Sequence, residues 1–311
     1  MKPISLYSIV VATFLTFALF VSYTENDRTT PSEKTNATST VPSTVDLPQI
    51  IKAVTLNKTF DFGGEVLPTH ENFDVRERLD QELLRNAYYH SNTVLNIKKA
   101  NRYFPVIEPI LAKHGVPDDM KYLAVAESDL RNATSPAGAK GIWQFMKATG
   151  KAAGMEINSG IDERYHIEKA TEAACKKLKK DKKEFGSWTL AAAAYNMGNT
   201  RLRKEIAVQR TKSYYDMNLN QETMKYVLRI VSIKEILSNP EQFGFYVNPE
   251  DKYAPFDYVT TTVTKTIPNL GDFAIQNGTT YRMMKILNPW ILGSSLPNSS
   301  GRTYTLKIPR Q

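Results

Sequence analysis

The chain has 311 residues, and its 40 lysines and arginines outnumber its 32 aspartates and glutamates to give a net charge of +8. Hydrophobic residues make up 41% and charged residues 23%, a globular composition with enough length for a mid-sized domain plus a smaller one. The single cysteine, Cys175, excludes an intramolecular disulfide framework and a cysteine-based zinc site. No two of the four histidines lie at metal-ligand spacing on a predicted helix, so we expect neither a metal nor another cofactor.

The N-terminal segment carries an uncharged run, Ile4–Tyr23, which is long enough to cross the core of a bilayer as a helix. A basic start followed by an apolar run also describes a secretory signal peptide, but no clear small-residue cleavage site follows this one. Lys2 before the run and acidic residues after it place the N-terminus on the cytoplasmic side. We expect residues 1–23 to be a signal peptide or a membrane anchor, with the rest exported to the periplasm and tethered to the inner membrane.

Residues 24–48 are rich in serine, threonine and proline, a composition that predicts a disordered linker. We expect a folded domain over residues 49–249 and a second module over residues 250–311. The basic charge of this exported body suits an acidic wall polymer or an anionic membrane surface. Nucleic acid would suit the charge equally well, but export makes it the weakest of the three.

The pattern from about residue 73 to residue 237 is helical. Apolar residues recur every four positions after Asp74, which we expect to cap the first helix at its N-terminus. A second helical stretch, 103–111, ends at His114-Gly115, and a third begins near Asp118. Further helices are predicted over five ranges: 142–153, 167–183, 188–197, 199–209 and 221–238.

A glutamate continues the apolar stripe of the third helix. Glu127 shares one face with Met120, Leu123 and Ala124, because these positions are spaced i, i+3, i+4 and i+7. Burial disfavours the charged form of a carboxyl group and raises its pKa, which is the state a general acid needs near neutral pH. Taken alone, however, such a residue is more often a helix-end glutamate that reaches solvent.

Three later segments place polar side chains next to residues that we expect to be buried. Residues 138–146 form a glycine-bounded turn that contains Gln144. Residues 190–198 form a helix that is apolar all round and ends in Tyr195 and Asn196 before a C-capping glycine. Residues 222–227 open the last long helix.

Four segments together resemble the lytic transglycosylases that carry a lysozyme-like SLT domain, in particular the branch of membrane-bound lytic murein transglycosylase D. They are AESDL at 126–130, SPAGAKGIWQFM at 135–146, AAAYNMG at 192–198 and ETMKYV at 222–227. The resemblance implies a mainly α fold of the goose-type lysozyme kind. It also implies cleavage of the β-1,4 bond between N-acetylmuramic acid and N-acetylglucosamine in peptidoglycan.

The resemblance also implies roles for individual residues. Glu127 would be the single catalytic acid and base, and Tyr195 would donate a hydrogen bond to it. The other implied substrate-binding residues line the glycan groove or its far wall: Ser135, Gln144, Asn196, Glu222 and Tyr226. The roles of Glu222 and Tyr226 stay open. The segment from Glu127 to Ser135 is one residue shorter than the common pattern of the family.

A single acid suffices when the sugar supplies its own nucleophile, whereas ordinary glycosidases use two carboxylates. The candidates for a second carboxylate are Asp162 and Glu163, although we favour a structural role for Asp162 with Arg164. Two alternatives remain: a goose-type lysozyme, which shares the fold but uses water, and a catalytically silent wall-binding scaffold.

Residues 250–311 are predicted to form a strand, two short helices and a strand. This βααβ order, with GTTYRMMKILNP at its centre, resembles a LysM domain, a binder of glycans that contain N-acetylglucosamine. The sequence of the entry loop, TIPNLGDF, differs from the glycine-aspartate-threonine motif that is usual in LysM domains. We expect Trp290 to lie in the core of this module, and we expect peptidoglycan glycan strands to be the partner of both parts of the chain.

Overall fold

The computed structural model describes residues 53–310, so the predicted anchor (1–23) and linker (24–48) lie outside the described part of the chain. The described part is mostly helical, as predicted. A short hairpin precedes eight helices, and the C-terminal region adds two strands and two more helices. In chain order the elements are β1 Asp61–Phe62, β2 Glu65–Val66, α1 Phe73–Tyr88, α2 His90–Lys113, α3 Lys121–Ser128, α4 Lys147–Ala152, α5 Ile167–Phe185, α6 Trp188–Met197, α7 Asn199–Gln209, α8 Gln221–Ser238, β3 Tyr258–Val263, α9 Leu270–Gln276, α10 Tyr281–Leu287 and β4 Tyr304–Pro309.

Helices α5 to α8 begin and end within two residues of the predicted bounds. Three predictions for earlier segments need correction. Asn72, not Asp74, caps α1, because its side chain accepts from two backbone N–H groups of the first turn. Helix α2 begins at His90, well before the predicted start, and it continues through two prolines to Lys113. Helix α4 is shorter than predicted, since residues 142–146 still belong to the predicted turn and not to the first turn of the helix.

The core of the helical part surrounds α6, whose residues 190–194 are all buried. Helix α5 packs on one side of α6 and α8 on another, while α1 and α3 pack against α8. Burial of these apolar faces, rather than helix propensity, stabilises helices of this length. This packing brings the C-terminal ends of α3 and α6 and the N-terminal part of α8 to the same region.

The C-terminal module has the predicted βααβ order. Its strands β3 and β4 pair antiparallel, with Tyr258 opposite Pro309 and Val263 opposite Tyr304. Trp290 lies in the module's core, as predicted, and its ring stacks between those of His166 and Tyr304.

The segment before α5 packs into this same core. Ile161 is fully buried among the module's apolar side chains and pairs with Ile291 in an isolated antiparallel bridge. The Asp162 backbone N–H donates to the Trp290 carbonyl at 2.9 Å, and Lys307 forms an ion pair with Glu168 of α5. The helical part and the module therefore share an apolar contact as well as polar ones.

We expect Ile161→Ala to lower the free energy of unfolding by about 2–5 kcal/mol, since it empties a fully buried site in the shared core. Ile275 is the matched control, because it lies on α9 of the same module but is 75% exposed. We expect Ile275→Ala to change stability by less than about 0.5 kcal/mol. Chemical denaturation of both variants would measure the difference, and equal small effects would contradict the shared core.

Among the helices in residues 53–310, none combines the length and the apolar character needed to span a membrane.

Candidate active site

Glu127 lies in the last turn of α3, where the chain bends sharply. Asp129 and Leu130, which follow that turn, both adopt left-handed backbone conformations with φ of 52° and 53°. Three side chains of α2 hold the bend by donating to the Oδ1 atom or the backbone carbonyl of Asp129: Asn92 at 2.9 Å, Asn96 at 3.1 Å and Lys99 at 2.9 Å. These contacts fix the end of the helix that carries Glu127.

The surroundings of Glu127 favour its protonated form. Burial raises the pKa of its carboxyl group to about 7, and the nearby charge of Glu222 acts in the same direction. Tyr226 opposes this rise, because its hydroxyl donates a hydrogen bond to Glu127 Oε1, and the positive charge of Arg229 opposes it too. The net result is a carboxyl group that can both give and take a proton near neutral pH.

The structure does not contain the hydrogen bond expected from Tyr195 to Glu127. The Tyr195 hydroxyl donates instead to the Trp143 carbonyl at 2.7 Å, and its ring packs edge-on against Phe145. Burial raises the pKa of Tyr195 well above its ordinary value, and the Glu127 charge raises it further, so the two groups are neighbours. Tyr195 thus supports the turn of residues 138–146, while Tyr226 contacts the candidate acid.

Gln144 and Ser135 belong to the same loop, and both bind its backbone. Gln144 has a left-handed φ of 49°, and its Nε2 atom donates to the carbonyls of Gly141 at 2.7 Å and Ala133 at 3.2 Å. Ser135 Oγ accepts from the Ala139 N–H at 3.0 Å. These contacts shape the loop, and neither side chain bonds Glu127 in them.

The loop is tied to α3 and to a buried ion pair. Ser128, next to Glu127, donates its hydroxyl to the Ile142 carbonyl at 2.8 Å. Arg164 Nη1 donates to the carbonyls of Gly138 and Phe145, each at 3.1 Å. The same loop passes so close to Arg164 that a Cβ at Gly141 would lie 1.9 Å from the Arg164 carbonyl oxygen.

The two proposed second carboxylates have structural partners. Asp162 is 2% exposed and forms a two-bond ion pair with Arg164, at 2.9 Å and 2.7 Å, which confirms the structural role expected for this pair. Glu163 accepts from the Glu156 backbone N–H at 2.7 Å and pairs with Lys169. No group of histidine, cysteine, aspartate and glutamate side chains within residues 53–310 is arranged to hold a metal ion.

Asn196 and Glu222 lie where the end of α6 meets the start of α8. The Thr223 hydroxyl, next to Glu222, donates to Asn196 Oδ1 at 2.7 Å and joins the end of α6 to the start of α8. Glu222 in turn forms an ion pair with Arg229 at 2.8 Å.

The sequence analysis missed Arg229 and left Tyr226 without a role. Glu222, Tyr226 and Arg229 are spaced i, i+4 and i+7 on α8, so they share one face of that helix. The same spacing singled out Glu127 on α3, and it could have identified Arg229 as a neighbour of the site.

Two family comparisons cover most of the described chain. Residues 105–218 match the transglycosylase SLT domain, a range that contains Glu127, Gln144 and Tyr195. Residues 259–311 match the soluble lytic transglycosylase C-terminal LysM-like domain. Glu222 and Tyr226 lie between the two matched ranges.

Similar proteins include membrane-bound lytic murein transglycosylase D from Escherichia coli K12 and from E. coli O6:H1. Each is 28% identical over 247 residues, which cover 78% of this chain and 53% of the relative. The chain therefore spans about half the length of these curated relatives. Among solved structures, an inactive mutant of the lytic transglycosylase Slt from Pseudomonas aeruginosa aligns with a TM-score of 0.37 and 20% identity, over 49% of this chain and 26% of that one.

Proposed function

We propose that this chain, which carries an SLT transglycosylase domain and a LysM-like C-terminal domain, is a peptidoglycan lytic transglycosylase of the cell envelope. The observation that carries the proposal is Glu127: it lies inside the matched SLT range, its pKa is raised to about 7, and Tyr226 holds its carboxyl group in one orientation.

In the proposed reaction, protonated Glu127 donates its proton to the oxygen that bridges N-acetylmuramic acid and N-acetylglucosamine. As the bond between C1 of the muramic sugar and the bridging oxygen breaks, the N-acetyl group of that sugar stabilises the positive charge that develops at C1, as in other substrate-assisted glycosidases. The resulting carboxylate then accepts the proton of the sugar's own C6 hydroxyl, whose oxygen attacks C1. The product ends in 1,6-anhydromuramic acid, and no water is consumed. Glu127 returns to its protonated state.

The surrounding side chains would bind the glycan. Asn196 and Glu222 stand on one wall of the proposed groove, while Ser135 and Gln144 belong to the loop that we propose as the other. We propose that the LysM-like module adds a second contact to peptidoglycan. An N-terminal tether at residues 4–23 would hold the enzyme at the inner membrane.

One observation favours hydrolysis as the second candidate. Glu222 is a carboxylate close enough to raise the pKa of Glu127, and Arg229 holds it in place. A carboxylate in that position could act as the general base that activates water, as the second carboxylate of an inverting glycosidase does. We rank hydrolysis second because the carboxylate of Glu222 already forms an ion pair with Arg229.

Incubation of the full chain with purified sacculi tests whether it is an enzyme at all. The proposal predicts release of soluble muropeptides. Retention of the protein on sacculi without any release would support the silent wall-binding scaffold instead.

We expect Tyr226→Phe to move the alkaline limb of the kcat/KM profile to higher pH. The Tyr226 hydroxyl stabilises the ionised carboxylate of Glu127, so its loss raises the pKa of Glu127 further above 7 and keeps the acid protonated over a wider range. Tyr195→Phe is the matched control, since its hydroxyl bonds the Trp143 carbonyl and not Glu127. A pH profile with the same alkaline limb in wild type and Tyr226→Phe would refute this role.

A further inference from the structure

A shallow, open cavity of about 430 Å³ lies on the surface at the C-terminal end of α1. Its walls combine charged and aromatic side chains: Glu82, Arg85, Asn86, Tyr88, Tyr89 and Arg229. None of the four segments that carry the family resemblance contributes a residue to these walls.

Arg229 connects the cavity to the candidate acid. It follows Tyr226 by one helical turn on α8, and Tyr226 bonds Glu127 directly. The charge of Arg229 also acts on the carboxyl group of Glu127. Arg229 therefore belongs both to the wall of the cavity and to the charged surroundings of the candidate acid.

A buried carboxylate positions the two guanidinium groups of the cavity. Glu82 Oε1 accepts from Arg85 Nη1 at 2.6 Å, and Glu82 Oε2 accepts from Arg229 Nε at 3.2 Å. The other two nitrogens of Arg229 donate to Glu222: Nη1 to Oε1 at 2.8 Å and Nη2 to Oε2 at 3.4 Å.

Within residues 53–310, Arg85 is the guanidinium of this cavity whose N–H donors are mostly unpaired. A guanidinium carries five N–H donors, and the Arg85 side chain is 55% exposed while Glu82 holds one of its nitrogens. Tyr89 is 61% exposed and stands beside it as an aromatic wall. A planar cation with free, pre-oriented donors is the side chain that best recognises a carboxylate in a two-bond geometry.

We propose that this cavity binds a carboxylate of the peptide attached to the muramic sugar at the cleavage site, with Arg85 as its ligand. The inference rests on the proposed function. In peptidoglycan the peptide leaves the muramic sugar from its lactyl group at C3, and the bond that Glu127 would cut is at C1 of the same ring. The peptide therefore emerges close to the acid, and its free carboxylates match the donors of Arg85.

The test compares two substrates: glycan strands that carry their peptides, and the same strands after an amidase has removed the peptides. We expect Arg85→Ala to lower kcat/KM about ten-fold on the peptide-bearing strands, the lower range for a hydrogen bond to a charged group. We expect no change on the peptide-free strands. Arg85→Lys keeps the positive charge beside Glu82 but loses the two-bond geometry, so it should lose less than Arg85→Ala.

Arg203→Ala is the matched control, because Arg203 is similarly exposed (56%), pairs with a single glutamate and does not line the cavity. It should leave kcat/KM unchanged on both substrates. An equal loss on both substrates for Arg85→Ala would identify a sugar subsite or a structural role and overturn the proposal, as would no loss on either. Wild-type protein that cuts neither substrate would refute the proposed function itself, which is a different result.

Discussion

Glu127→Gln is expected to lower kcat about 100- to 10,000-fold while the variant still folds and binds glycan. Glutamine keeps the size and shape of the side chain and can still accept the hydrogen bond from Tyr226, but it has no proton to transfer to the bridging oxygen. Release of soluble muropeptides from sacculi measures the loss, and retention on sacculi measures binding. Glu77→Gln, the same chemical change on an exposed glutamate of α1, should leave the rate unchanged.

The same variant should change how stability depends on pH. Burial raises the folded-state pKa of Glu127 from its ordinary 4.5 to about 7, so the folded protein favours the protonated form. As pH rises from 4.5 to 7, the unfolded state gives up this proton first, and wild type loses stability until the folded state has ionised as well. We therefore expect Glu127→Gln to be more stable than wild type above pH 7 and similar to it at pH 4.

Full activity of Glu127→Gln would refute its assignment as the acid.

Arg164→Met is expected to lower the free energy of unfolding by about 3–5 kcal/mol. It leaves the Asp162 carboxylate buried, with Lys140 as the remaining cation at 3.8 Å. It also removes the donor to the carbonyls of Gly138 and Phe145, which hold the loop that carries Gln144. Chemical denaturation monitored by circular dichroism measures the loss.

The double variant Asp162→Asn with Arg164→Met tests the cause of that loss. Because it removes the uncompensated buried charge, it should recover part of the stability that Arg164→Met loses. A loss below about 1 kcal/mol for Arg164→Met alone would show that the pair contributes little and that other contacts hold the loop.

Sequence patterns predicted the helices best where capping residues mark their ends. Ser187 accepts from the Leu190 N–H at the start of α6, and Gly198 ends that helix with a positive φ, so both limits were readable. Helix α2 was predicted too short because its first half, residues 90–102, was not identified; the predicted stretch, 103–111, already contained Pro105 and Pro109, and the helix accommodates both. The turn before α4 was recognised from its glycines, but the predicted helix began too early, at residue 142, because the turn continues through a left-handed Gln144 that the sequence does not reveal.

The candidate acid was predictable from one helix, but its partner was not. Glu127 stood out by its place on an apolar stripe of α3, a local property of the sequence. Which tyrosine reaches it depends on how α6 and α8 pack against α3, and the structure gives that contact to Tyr226 rather than Tyr195. The docking of Ile161 into the C-terminal module is equally non-local, since residues 157–166 show no periodicity that would mark a buried face.

Digestion of sacculi with the full chain in heavy-oxygen water, followed by mass spectrometry of the new glycan ends, distinguishes transglycosylation from hydrolysis. Transglycosylation closes the ring with the sugar's own C6 oxygen, so we expect ends in 1,6-anhydromuramic acid that lack one water and contain no heavy oxygen. Reducing muramic ends that each carry one heavy oxygen atom would instead show that the site hydrolyses the bond and that the chain is not a lytic transglycosylase.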